Sequence, residues 1–249
     1  MLYVAIVFQV ARHLGPPRHR RGDRGSDNTN LQDENNPLSM STFSGTNLLC
    51  FRGERTVFAD LAFTLSEGGA LVLRGHNGSG KSTLLRLMAG LLKAREGVIS
   101  WDGEDILEEP ELHNQRLHYV GHLDAVKAVL SVRENIAFWS ELRGDGYDVD
   151  RALETFGIRF LADVPGRFLS AGQKRRVNLA RIVAAPAPLW LLDEPTTALD
   201  ADAISALEAA IRTHRQSGGM IIASTHAGIG LDDAQTLNLD AFRFMGEAA

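Results

Sequence analysis

Apolar positions along the chain fall into two rhythms. Short continuous runs bounded by turn residues read as buried strands: "GALVLRG" at 69–75, "PAPLWLLDEP" before a proline stop, and "MIIASTH" after a glycine pair. Leu117 to Gly121 is a further short strand, and "GVISWDG" is another with turn residues at its end. "NLLCFRG" and "RTVFADLAFTL" are β-branched and apolar enough to pair as an antiparallel edge sheet, with order expected from about Thr46. Between the strands the period lengthens to that of a helix, in "KSTLLRLMAGLL", "SVRENIAFWSELRG", "DVDRALETFG", "SAGQKRRVNLARIVAA" and "DADAISALEAAIRTHRQSGG".

The helix ends carry their own signals. Ser131 with Glu134 three residues on forms a capping box, Gly157 closes one helix, and the pair Gly218–Gly219 closes another. The third helix turns Val177, Ala180, Ile182 and Val183 inward. Strands and helices alternate at both ends of the ordered region, which predicts an α/β fold with a mainly parallel sheet core. The mostly helical middle, residues 105–183, is expected as an inserted lobe within a domain at 43–245.

Composition narrows the class. The 249 residues are 44% hydrophobic and 23% charged, enough for a core of one domain. A balance of 26 basic against 31 acidic residues, net −5, argues against a nucleic-acid partner. The single cysteine, Cys50, excludes an internal disulfide. No apolar run is long enough to span a bilayer. Residues 1–42, rich in Pro, Gly, Arg, Asn and Ser after an apolar Met1–Ala11, are expected to be a disordered extension. Met40 offers an alternative start, and a peripheral membrane tether is the sharper reading of the apolar stretch.

Three motifs carry chemistry. "GHNGSGKST" at 75–83 follows a strand and opens a helix, the context a phosphate loop requires. Gly75, Gly78 and Gly80 let the backbone curl, so that the amides of His76, Asn77, Ser79 and their neighbours face an anion. Lys81 would reach the β and γ phosphates, Ser82 would offer its hydroxyl to Mg²⁺, and Thr83 could bond the α-phosphate. "LWLLDE" at 189–194 is a buried strand that delivers two acids to the ligand-binding edge of the sheet. Asp193 would serve Mg²⁺, and Glu194, pointing elsewhere, would polarise a water in line with the γ-phosphate. "LSAGQ" at 169–173 opens the third helix, another anion site; alone it is better explained by a plain N-cap, Ser170 or Gly172, worth about 1 kcal/mol.

Taken in order, "GHNGSGKST", "LSAGQKRR", "LWLLDEPTTALD" and "STH" resemble the ATP-binding subunits of ABC transporters, over roughly residues 46–240. The resemblance implies a P-loop NTPase fold and two subunits that sandwich two ATP molecules. It also implies that Ser170, Ala171, Gly172 and Gln173 act in trans, that Asp200 crosses the dimer interface, and that His226 contacts the γ-phosphate. His122 stands where most relatives have a glutamine that touches Mg²⁺ and the attacking water; an imidazole can also hydrogen-bond water and, unlike glutamine, take up a proton.

With "YVGHLDAVK" and "LSVRENIAFW", the chain is similar to the haem-exporter ATP-binding family of cytochrome c maturation. That family implies a peripheral subunit on the cytoplasmic face of a bacterial inner membrane. Its partners would be CcmB- and CcmC-like permease subunits, with ATP hydrolysis driving haem delivery or release of a haem-loaded chaperone. Another exporter's ATPase, for drugs, lipids or lipoproteins, is the alternative. A clamp on DNA or ribosomes is disfavoured, because the roughly ninety residues between Lys81 and Ser170 lack sustained heptads. Phe51 or Arg52 would lie against adenine, Phe51 being equally suited to a core. His113 and His118 read as surface residues.

Overall fold

A computed structural model describes residues 40–144 and 147–242. The expectations on residues 1–39 lie outside the described residues. Five strands form a parallel sheet in the order β6-β7-β8-β3-β9, where β3 is Ala70–Arg74, β6 Leu117–Val120, β7 Leu189–Asp193, β8 Met220–Ser224 and β9 Gln235–Asn238. A second, antiparallel sheet runs β2-β1-β4-β5, with β1 at Thr42–Arg52, β2 at Arg55–Ser66, β4 at Glu96–Trp101 and β5 at Glu104–Asp105.

The continuous apolar runs are explained by burial on both faces of the parallel sheet. Side chains alternate across a strand. Val72, Trp190, Leu192, Ile221 and Ala223 therefore enter one core, packed with Leu207 and Ile211 of α6 (Ala201–Gln216). The same core takes Val132 and Ile136 of α3 (Val132–Glu141), Leu153 of α4 (Val149–Thr155) and Val177 of α5 (Ala171–Ala184). Leu71, Leu73, Leu189, Leu191, Met220 and Ile222 enter the other core, with Leu84, Leu85 and Met88 of α1 (Lys81–Met88) and Phe43 and Phe58 of the antiparallel sheet.

The capping box at Ser131 and Glu134 is present, with Glu134 N–H on Ser131 Oγ at 3.2 Å and Ser131 N–H on Glu134 Oε2 at 2.7 Å.

Several boundaries differ from the sequence reading. The first strand begins at Thr42, ahead of the expected Thr46, because Phe43 pairs with Leu65 and Trp101 and is fully buried. Helix α1 stops at Met88 instead of continuing to Leu92. Gly90 adopts φ 67°, and the Leu91 amide turns back to the Arg86 carbonyl at 2.9 Å, a glycine-terminated end. A short helix α2, Pro110–Arg116, and the polar edge strand β9 had no apolar rhythm to announce them.

His113 and His118 are not surface residues. His113 is 1% exposed, bonded through Nε2 to the Met88 carbonyl at 2.8 Å and stacked on Phe43. His118, on β6, bonds the Ala185 carbonyl at 2.9 Å. Its short strand is covered by α5, which no local pattern shows.

Burial also sets an acid limit. Burial pushes the His118 ring well below the usual histidine range and lowers His214, stacked 4.0 Å from Trp190, to about 4. Both rings are therefore neutral in the fold and take up protons on unfolding below their ordinary value near 6.5. The stability that depends on their neutral burial is full above that value and is lost as pH falls below it, for His214 down to about 4. For His214 alone the loss by pH 5 is about 2 kcal/mol. Urea midpoints should drop between pH 7 and pH 5, and a His214→Gln variant should show a shallower drop; equal slopes would contradict neutral burial.

Candidate functional site

The carboxyl ends of β3, β6, β7 and β8 come to one edge of the parallel sheet. The register does the assembling. Val120 pairs with Leu192, so His122 and Glu194 each lie two residues beyond neighbouring partners. Asp193 pairs with Ser224, and His226 follows two residues later.

The loop between β3 and α1 is held by local chemistry. Gly80 has φ 105°, and a Cβ there would lie 2.5 Å from Val57 Cγ1, so any other residue would be strained and would have to displace Val57. Lys81 is 8% exposed, and its Nζ donates to the carbonyls of Gly75 at 2.8 Å and His76 at 3.1 Å. Ser79 Oγ is buried and makes no hydrogen bond among the described residues. The first amides of α1 have no carbonyl acceptor within the helix. An ammonium, an orphan hydroxyl and free amides in one turn suit a polyanion such as a triphosphate.

His76 is tied to the far end of the chain. Its ring Nδ1 lies 2.5 Å from Asp240 Oδ1, and its amide donates to the same carboxylate at 3.2 Å. The His76 hydrogen bond holds the Asp240 carboxyl below the usual range. This latch was invisible in sequence.

At the end of β7, Asp193 is 1% exposed. Its Oδ1 accepts the Ser82 hydroxyl at 3.1 Å, while Oδ2 is buried with no hydrogen bond among the described residues. A hydroxyl beside an unsatisfied carboxylate oxygen is a fitting oxygen-donor set for Mg²⁺. Glu194 turns away through a left-handed backbone, φ 47°. Ser224 Oγ donates to its Oε1 at 3.4 Å, and His226 Nε2 stands 3.7 Å from the same oxygen. A carboxylate, a hydroxyl and an imidazole thus meet at one point, with the imidazole on its solvent side. His122 is exposed on the loop after β6.

Ser170, Ala171, Gly172 and Gln173 open α5 at the surface, with no hydrogen bond to the 75–83 loop among the described residues. Ser170 and Gln173 bond each other's amides at 2.9 and 3.2 Å, a complete capping box. Asp200 caps α6 through the Ala203 amide at 3.0 Å and pairs with Arg176. Those two contacts, the amide first, lower its carboxyl.

Phe51 belongs neither to the core nor to the cavity beside the 75–83 loop. It is 45% exposed and lines an outer groove with Thr46, Asn47 and Val98. The cavity of about 190 Å³ beside the loop is lined instead by Arg52, Arg55, Val57, His76, Ser79 and Asp240. Arg175, inside the basic run "QKRRV", is 2% exposed. The sequence reading passed over it, and only its place on the inward side of α5 marks it.

The pattern of the ABC transporter family matches residues 58–197. The chain is 59% identical over 210 residues to the cytochrome c biogenesis ATP-binding export protein CcmA of Paramagnetospirillum magneticum, covering 82% of this chain and 97% of that protein. It is 58% identical to the CcmA of Rhodospirillum rubrum, covering 83% of this chain and 89% of that protein. Among solved structures, an ATP-binding subunit of an ABC transporter superposes with a TM-score of 0.73 at 24% identity, covering 79% of this chain and 85% of the other; this is a likeness of fold.

Proposed function

The chain belongs to the ABC transporter family of ATP-binding proteins, and from that premise we propose that it is the ATP-hydrolysing subunit of an export complex for cytochrome c maturation. The 59% identity along nearly the whole length of one such protein carries the specific reading. In it the chain acts in haem delivery and powers release of a haem-loaded chaperone. It sits as a peripheral homodimer on CcmB- and CcmC-like permease subunits at the cytoplasmic face of the inner membrane. No helix among the described residues is long and apolar enough to cross a membrane.

The chemistry follows from the chain's own groups. The amides of the 75–80 loop and the start of α1 receive the phosphates, and the Lys81 ammonium exchanges its carbonyl partners for phosphate oxygens. Ser82 and Asp193 would hold Mg²⁺, which when bound neutralises charge on the phosphate oxygens. Glu194 accepts a proton from the attacking water while His226 and Ser224 keep its carboxylate oriented. His122 hydrogen-bonds the same water from the neighbouring strand end. Arg52 lies against the base, a guanidinium doing the work of an aromatic ring. Ser170–Gln173 of one subunit close over the γ-phosphate held by the other, with Asp200 at the interface between them.

The test is genetic. In cells lacking their own copy, the wild-type gene should restore haem-stained c-type cytochromes, and the Glu194→Gln gene should not. Equal restoration by both would contradict a role for hydrolysis.

A further inference from the structure

Arg175 is a buried cation on α5 whose one carboxylate partner among the described residues is the partly exposed Asp124. All five of its N–H donors find acceptors, and four of the five are main-chain carbonyls. Nε donates to Pro195 at 3.1 Å; one terminal nitrogen donates to Gly121 at 2.8 Å and Asp124 Oδ1 at 3.3 Å; the other donates to Asp193 at 3.0 Å and Glu194 at 2.6 Å. These acceptors are the residue before His122, the residue two beyond it, and the three residues at the turn that carries Glu194. Asn178, one turn along α5, adds a second tie to Asp124 at 3.1 Å.

The turn it grips is one that would not hold itself. Glu194 sits at φ 47°, a region that costs a non-glycine residue energy and persists only where neighbours enforce it. On one side its amide is fixed by the Ser224 carbonyl at 2.8 Å. On the other its carbonyl is fixed by Arg175.

We propose that Arg175 is a positioning residue that ties α5, and with it the Ser170–Gln173 turn, to the two backbone segments that carry Glu194 and His122. Engagement of that turn by a second subunit's nucleotide is thereby felt at Glu194 and at the His122 loop. The proposal rests on the ATPase reading. It separates two quantities: the phosphate loop lies outside the Arg175 contacts, so ATP binding survives its loss while the chemical step does not.

Arg175→Lys tests this, because lysine keeps the charge but cannot fork to five acceptors. In the full chain, kcat should fall at least about tenfold while the ATP dissociation constant stays within about twofold. Amide exchange should quicken at 121–124 and at 194–197 and stay unchanged at 75–83. Should that variant not fold, Asp124→Ala gives a smaller loss of kcat with unchanged affinity and faster exchange in the 121–124 loop alone. Wild-type kcat in Arg175→Lys, affinity lost in step with turnover, or unaltered exchange at both segments would overturn the proposal. Absent wild-type turnover would instead count against the ATPase reading, and the exchange pattern would still decide the role of Arg175.

Discussion

A Lys81→Ala chain is expected to lose ATP binding, with an affinity reduced at least a hundredfold. The Lys81 side chain is nearly enclosed, and its ammonium is already aimed inward at the Gly75 and His76 carbonyls. An amine held there meets phosphate oxygens in charge-assisted contact, each hydrogen bond contributing about 1.5–3 kcal/mol. Two such bonds exceed the roughly 2.7 kcal/mol that a hundredfold change requires. The variant also frees the two carbonyls that shape the loop, so the cradle is less well formed before any nucleotide arrives. Equilibrium dialysis with MgATP reads the effect, and a urea midpoint near the wild-type value separates it from misfolding. Normal affinity would remove the phosphate-loop role from Gly75–Thr83.

Glu194→Gln should have the opposite profile: ATP held, turnover lost by about 10²–10⁴-fold, the range of a general base. Glutamine keeps the length of the side chain and can still accept the Ser224 hydroxyl seen at 3.4 Å. What disappears is the negative charge that takes the water's proton. With hydrolysis stalled, the sandwich dimer should persist, and sedimentation should show a dimer with ATP and a monomer with ADP. Undiminished phosphate release would place the base elsewhere. Loss of ATP binding along with turnover would mean that Glu194 holds nucleotide rather than activating water.

What could be read in the sequence is what is decided locally. The 75–83 motif is a strand end, a glycine turn and a helix start within a dozen residues, and the capping boxes at Ser131 and Ser170 span four residues each. The strand ending in Asp193 and Glu194 announces itself by its apolar run, and its neighbours follow from the α/β alternation. What could not be read depends on distant partners. Arg175 looks like one of three bases on a solvated helix until Gly121, 54 residues away, and the β7 turn are folded against it. The His76–Asp240 contact spans 164 residues. His113 sits among polar neighbours and His118 in a four-residue strand, and both are buried only because β1 and α5 cover them. Phe51 was a fair candidate for a base-stacking ring, but the outward turn of its strand position sends it to the opposite groove and leaves Arg52 beside the phosphate loop.

The assignment to cytochrome c maturation is tested most directly by capture. A tagged Glu194→Gln chain, loaded with ATP and recovered from mild-detergent membranes, should bring down CcmB- and CcmC-like membrane subunits, identified by mass spectrometry. Recovery of permeases from another export system in their place would contradict the assignment and leave only the ATPase standing.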